Sequence, residues 1–324
     1  MLNDGEKDIS SFGIVLHCRD NAKYLRNYLL FKFQKLEEYY SDISFHYYIY
    51  ENDSKDNTRQ LLQDFMETRK GKLLCDDLKT NVDIQIDKDS TTFNRIERIA
   101  NARNRLMNEV REDISKHDWA VFIDTNIFFD EDILEKIFNK KPKKPSTDNT
   151  NTNTNTNTNT NTTIGMITCT SIEIIESDKF ENIPYATSNH YYDTFAFVDI
   201  NNCIHYPSCL FPECTRPECV ERKINKNCIS FHGNQSKNMN TNTNTNREGD
   251  GDGKWNEIFD VRCAWGGFVV IEAYMFANKQ LVWKPLSIMK YQSVCEHIYL
   301  CDMIRAFYEK RIVVFGDVNC YWLK

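Results

Sequence analysis

The sequence predicts an α/β fold, a mainly parallel sheet with helices on both faces. Three observations lead there. Strand-like apolar runs alternate with helix-period segments, the pattern of βαβ units. The apolar run Trp119-Ala-Val-Phe-Ile-Asp124 has strand length and ends abruptly in polar residues, as a fully buried strand does. Hydrophobic residues make up 41% and aromatics 13% of 324 residues, enough for the core of one large domain, expected over residues 1–324.

In order, Phe12–Cys18 reads as the first strand, followed by a helix that Asp20 could cap, with Tyr24, Leu25, Tyr28, Leu29 and Leu36 at helical spacing. Phe45–Tyr50 is the second strand and runs into the polar turn Glu51-Asn-Asp53-Ser54. Leu61, Leu62, Phe65 and Met66 mark a helix stopped at Gly71, and Val82–Ile86 reads as a third strand. Phe93–Glu112 is an amphipathic helix whose stripe is Ile96, Ile99, Leu106, Met107 and Val110. After the central strand, Asp130 caps a short helix carrying Ile133, Leu134, Ile137 and Phe138. Residues 140–163 and 233–253 are Lys/Pro- and Asn/Thr-rich tracts that cannot bury apolar area, and are expected to be disordered loop insertions. Ile164–Cys169 is a strand. Gly266 and Gly267 enter another, where glycine allows close backbone approach or a bulge. Ser293 opens a helix through Tyr308 and fits a capping box with Glu296, and Lys310–Phe315 is the last strand.

Composition excludes several function classes. Net charge is -7, with no Lys/Arg stripe interleaved with aromatics, which argues against a nucleic-acid partner. No apolar run nears membrane-span length and no leader pattern opens the chain, so a cytoplasmic protein with reduced thiols is expected. Cys203, Cys209, Cys214, Cys219 and Cys228 could hold zinc, but no Cys-x₂-Cys knuckle occurs and free thiols are the leading reading.

Two features suggest chemistry. In extended chain Asp124 and Asn126 project to one side, at the carboxyl end of a strand, where open sheets place ligands. Their oxygens suit Mg²⁺ or Mn²⁺; a plain strand followed by an Asx turn and helix cap is the structural alternative. Arg103 falls inside the apolar stripe of its helix, so it needs an anion, which is either a structural carboxylate, a ligand phosphate or Asp124. Arg95 and Arg98 lie off the stripe and read as solvated, though either could reach a phosphate.

Six blocks in order resemble the fungal capsule-associated, cryptococcal-type α-1,3-mannosyltransferase family. They are Glu51-Asn-Asp-Ser54, Ala102-Arg-Asn104, Asp124-Thr-Asn126, Tyr192-Asp-Thr-Phe-Ala196 with Asp199, Cys263-Ala-Trp-Gly-Gly267 and Cys295-Glu-His297. The family's metal motif is closer to Asn-Asp, Ala264 is an insertion, and the segment after Asp199 is Cys-rich where the family is aromatic-rich. The resemblance implies a GT-A-like (Rossmann-like) α/β/α domain that binds a nucleotide-sugar donor, GDP-mannose before a UDP-sugar, and transfers a hexose to a glycan or glycoconjugate with the family's retaining outcome. It implies Asp124, Asn126 and His297 around Mn²⁺ or Mg²⁺ and Glu51, Asp53, Arg98 and Arg103 toward the donor. It also implies Asp193, Gly266 and Gly267 beside the sugar, and Glu296 at the acceptor, with Glu296, Asp193 and Arg103 as the catalytic set. Two other classes stay open: an inactive nucleotide-sugar- or carbohydrate-binding module, which Asn126 in place of a carboxylate allows, and a zinc-stabilised interaction protein built on the Cys-rich segment.

Overall fold

A computed structural model describes residues 2–4, 7–78, 93–140, 163–174, 198–199, 258–288 and 293–323. The first half alternates as expected. Strand β1 (Ser11–Cys18) leads into a helical rod of α1 (Ala22–Tyr24), a π-turn (Leu25–Leu29) and α2 (Leu30–Tyr39). Strand β2 (Ser44–Asn52), helix α3 (Thr58–Met66) and strand β3 (Lys70–Asp76) follow. Helix α4 (Phe93–Ile114) precedes β4 (Trp119–Asp124), the two-residue β5 (Ile127–Phe128) and α5 (Ile133–Lys140). The second half contains β6 (Ile164–Ile174), β7 (Val198–Asp199), β8 (Ile258–Cys263), β9 (Phe268–Glu272) and a 3₁₀ segment (Ala273–Ala277). It ends with β10 (Leu286–Ile288), β11 (Ser293–Cys295), α6 (His297–Tyr308) and β12 (Arg311–Leu323).

One large sheet runs β3-β2-β1-β4-β9-β6-β12-β8-β7, with β5 against β12. From β3 to β4 every pairing is parallel. Antiparallel β9 then enters between β4 and β6, and β6 pairs in parallel with β12. The pleat sorts the core into two layers. Phe12, Ile14 and Leu16 of β1, with Trp119, Val121 and Ile123 of β4, pack on the α2 side. Val15, Ala120 and Phe122 face the layer that α4 covers through Leu106, Met107 and Val110. Both faces are buried, which is why these strands read as continuous apolar runs.

Helix α4 is clamped by polar contacts as well as by its stripe. Asn104 Nδ2 donates to the Trp283 carbonyl at 2.7 Å, and the Trp283 N–H donates to Asn104 Oδ1 at 2.9 Å. Arg111 donates to the carbonyls of Phe276, Asn278 and Leu281 at 2.8–3.1 Å. Arg103 directly precedes the first of these anchors, so its backbone is held by the Asn104–Trp283 contact.

Several local expectations are corrected. The third strand is β3, starting where a helix stop was expected: Gly71 has φ 125°, and a Cβ there would meet the Tyr47 carbonyl oxygen at 1.9 Å. Val82–Ile86, residues 141–162 and 233–253, and the Cys-rich segment lie outside the described residues. Asp20 does not cap the first helix; it adopts φ 51° and Asn21 is the N-cap residue. Ser293 pairs in the β10–β11 hairpin, so the capping box does not form. Among the described residues no helix is long and apolar enough to cross a membrane.

Three histidines make the fold acid-sensitive. Burial, then Arg103, pushes His17 down to about 3; burial, then His46, pushes His117 down to about 4. Burial, with Arg103 beside it, holds His297 well below its usual range. Each folded value lies below that of the unfolded chain, so the unfolded state binds more protons. Stability is therefore complete above about pH 6.5 and is lost as pH falls toward the folded values. Thermal melts are expected to show Tm dropping from pH 6.5 to 5, above the carboxylate range. His117→Gln should make that slope shallower, and a Tm flat across this window would contradict the assignment.

Candidate active site

The carboxyl ends of β1, β2 and β4 form the edge at which the site is built. Parallel pairing places His17 opposite Asp124 and Cys18 opposite Glu51. The Asp124 side chain keeps 27% exposure, and its N–H donates to the Gly267 carbonyl at 2.9 Å. Two residues on, Asn126 is tied to the last strand in both directions. Its Nδ2 donates to the Leu323 carbonyl at 3.3 Å, and the Leu323 N–H donates to the Asn126 carbonyl at 2.9 Å.

Arg103 from α4 reaches this edge from below. Its guanidinium is buried and pairs closely with Glu296, which is 4% exposed. The same Nη1 lies 3.0 Å from His297 Nε2, and Nη2 lies 3.6 Å from Asp124 Oδ1. Trp265 closes the cluster. Its indole stacks on the His297 ring at 3.8 Å and 12°, and the Arg103 guanidinium sits 5.1 Å from its ring centre. His297 Nε2 also lies 3.2 Å from Glu296 Oε1, so it meets both a donor and an acceptor, and Nδ1 stands outside this contact. That Nδ1 is buried without a hydrogen-bond partner, as are the Trp265 and Trp283 Nε1 atoms. One cation thus spans a carboxylate at the sheet edge and a carboxylate from the start of α6, 193 residues later than itself.

The paired glycines sit where β4, β6 and β12 converge. A Cβ on Gly266 would strike the Cys169 carbonyl oxygen at 2.3 Å, and Gly267 has φ 75°. The Gly266 N–H is taken by Thr168 Oγ1 and its carbonyl accepts from Cys320 Sγ. Close packing of strand ends accounts for both glycines.

The remaining residues fall elsewhere along the edge. Glu51 is fully buried, accepts from the Ser54 N–H at 2.9 Å and pairs with Arg59. Asp53 adopts φ 51° and accepts from the Leu78 N–H at 2.8 Å. Glu51 and Asp53 therefore brace the loop after β2. That loop interlocks with the loop after β1, through Asp20 N–H to Ser54 Oγ at 3.0 Å and Lys55 N–H to Asp20 Oδ1 at 2.6 Å. Arg98 is half-buried on α4. Asp193 lies outside the described residues, as does Arg95's side chain. Two participants carry no role in the sequence-based site: Trp265, whose signal is its place before the paired glycines, and Arg59, whose only signal is its distance from Glu51 along the chain.

A divalent cation fits the exposed end of this edge better than the buried cluster. Asp124 offers a carboxylate, and Asn126 retains its amide oxygen after its nitrogen is used. Among the described residues no group of three His, Cys, Asp or Glu side chains converges. Mg²⁺-like ions nonetheless bind through one or two protein oxygens, with substrate phosphates and water completing the shell. The His297 Nε2 atom faces Arg103 rather than that edge.

The family described as Cryptococcal mannosyltransferase 1 matches residues 12–301 of the chain. No protein of curated function matches its sequence. Among solved structures, S. aureus TarS 1-349 in complex with UDP-GlcNAc aligns over 97% of this chain and 58% of its own, with TM-score 0.44 and 11% identity. A further S. aureus TarS structure aligns over 39% of this chain and 18% of its own, with TM-score 0.27 and 16% identity. GalNAc-T7 with UDP, GalNAc and Mn²⁺ aligns over 98% of this chain and 45% of its own, with TM-score 0.43 and 9% identity. The chain thus spans less than two thirds of the length of each of these proteins. The family match runs from β1 into α6, taking in Arg103, Asp124, the paired glycines and Glu296 on the mixed α/β sheet, and the chain belongs to the cryptococcal mannosyltransferase family.

Proposed function

We propose that the protein is a metal-dependent hexosyltransferase that moves mannose from GDP-mannose to a glycan or glycoconjugate hydroxyl, with retention of configuration, from one catalytic domain. The family match supports the sugar chemistry. The observation that carries the mechanism is the Arg103 fork between Asp124 and Glu296. Transfer breaks the bond between the sugar C1 and the diphosphate oxygen, and forms one from C1 to the acceptor oxygen, whose proton is released. Negative charge grows on the departing diphosphate, and a fixed cation nearby stabilises that growth more than it stabilises the bound donor. Arg103 is such a cation, held by α4. Asp124 and Asn126 would hold Mn²⁺ or Mg²⁺, which supplies further charge neutralisation at the diphosphate when bound. Glu296 orients the acceptor hydroxyl, and a retaining path does not require it to take the proton. Trp265 and His297 keep Arg103 and Glu296 dry, which strengthens their field.

A thermal-shift panel of GDP- and UDP-sugars, with and without Mn²⁺, tests this. GDP-mannose with Mn²⁺ is expected to give the largest stabilisation, about 2.7 kcal/mol at 100 times its Kd. A larger shift with a UDP-sugar would move the donor assignment. A shift that ignores Mn²⁺ would remove the cation from Asp124 and Asn126. Donor binding with no turnover would leave the chain a nucleotide-sugar-binding module.

A further inference from the structure

A third apolar cluster stands apart from the two core layers, directly beyond the Asp124–Asn126 edge. It gathers Tyr28 and Leu323, with Tyr24, Phe128 and Tyr321 partly buried around them. Three independent elements deliver these side chains. The π-turn carries Tyr28 and follows directly on Tyr24. Such turns are rare and concentrate at functional sites. Phe128 is in β5, two residues past Asn126, and Tyr321 is its register partner in β12, with ring centres 6.3 Å apart. At strand rise, Phe128 is about 7 Å along the chain from Asn126.

Charged groups rim the cluster; Lys32 is buried against it, while the Lys136 and Asp130 side chains are partly exposed. Lys32 Nζ sits 4.4 Å from the Phe128 ring centre and pairs with Glu131 at 2.7 Å. Lys136 pairs with Asp130 at 3.1 Å, and those side chains are 42% and 49% exposed; both lie close enough to Tyr321 to influence its hydroxyl. An aromatic floor with a rim of charged donors and acceptors matches the two faces of a pyranose. The C–H bonds of the ring pack on the aromatic faces, and the hydroxyls reach the polar groups. The cluster is continuous with the donor edge through the paired Asn126–Leu323 hydrogen bonds.

We infer that Tyr24, Phe128 and Tyr321 form an acceptor-binding shelf that holds a pyranose of the incoming glycan beside the metal edge. The inference rests on the hexosyltransferase reading for the identity of the acceptor, while glycan binding itself can be measured without turnover. The probe is α-linked mannobiose, titrated by saturation-transfer NMR against the full chain, its Phe128→Leu and Tyr321→Leu variants and the double variant. Leucine keeps apolar volume while removing the aromatic face. Binding to the wild type is expected to fall at least tenfold in each variant, with GDP–Mn²⁺ affinity unchanged and melting temperature close to wild type. Where transfer is measurable, acceptor KM should rise by the same factor and acceptor-independent donor hydrolysis should not change. Undiminished mannobiose binding in folded variants, or no binding by the wild type, would overturn the shelf and leave the cluster as packing. A loss of GDP affinity instead would show that the rings stack on the donor base and would equally overturn it. Mannobiose binding lost in the variants of a protein that never binds GDP would uphold the shelf and defeat only the donor assignment.

Discussion

Arg103→Lys is expected to lower turnover by about 10²-fold although it conserves charge, an effect of the size seen when one oriented stabilising donor is lost. A guanidinium presents several donors in a rigid fork, whereas an ammonium is one point on a flexible stem. The fork here touches Glu296 and His297 through Nη1 and approaches Asp124 through Nη2, with its face toward Trp265. Lysine could serve one of these partners and leave the others buried and underpaired. Single-turnover kinetics with GDP-mannose would show the chemical step slowed while GDP–Mn²⁺ affinity stays near wild type. Wild-type turnover in a folded Arg103→Lys protein would remove Arg103 from the mechanism.

Glu296→Gln is expected to reduce transfer by about 10²- to 10⁴-fold if its carboxylate acts as a base, and less if it only orients the hydroxyl. The structure changes what this variant does to stability. Glu296 is the N-cap residue of α6 without a capping hydrogen bond, and its carboxylate instead faces Arg103. Removing that charge leaves a buried guanidinium short of a partner, and removing one member of a buried pair costs roughly 3–5 kcal/mol. The isosteric amide should bring the loss to the lower end of that range. Combining it with Arg103→Met removes both charges and should recover much of the melting temperature without recovering transfer. Recovery of transfer in the double variant would show that the pair is only structural. Weak Mn²⁺ binding in Glu296→Gln, with transfer restored at high metal, would place Glu296 and His297 in the metal shell.

The parts of this fold that periodicity encodes were legible. Trp119–Asp124 is a strand because its run of apolar residues is buried on both faces, and Arg103 stood out because a charge interrupts a 3.6-residue stripe. The identity of its anion was not legible, since Glu296 reaches it only through the folding of α6 onto the sheet. Local pattern also gave Glu296 a capping partner in Ser293, which the β10–β11 hairpin claims instead. Gly71 shows the same limit: a glycine ends helices and also fits strands whose neighbour crowds the backbone, and only the Tyr47 carbonyl distinguishes the two. The order of the six motifs supplied the family, whereas the insertion of antiparallel β9 beside β4 depends on pairings that no single motif contains.

The separation of 193 residues between Arg103 and Glu296 also sets a timetable. Strands β1 to β4 and their helices make contacts of short sequence range and can collapse early, while closing a long loop costs entropy before it yields contacts. Arg103 must then wait on a half-built surface, with Asp124 but without its closer partner Glu296, until α6 arrives. Assembly of the charge cluster is therefore a late event in maturation, and a chain halted before α6 docks would have a formed parallel sheet but an open cluster.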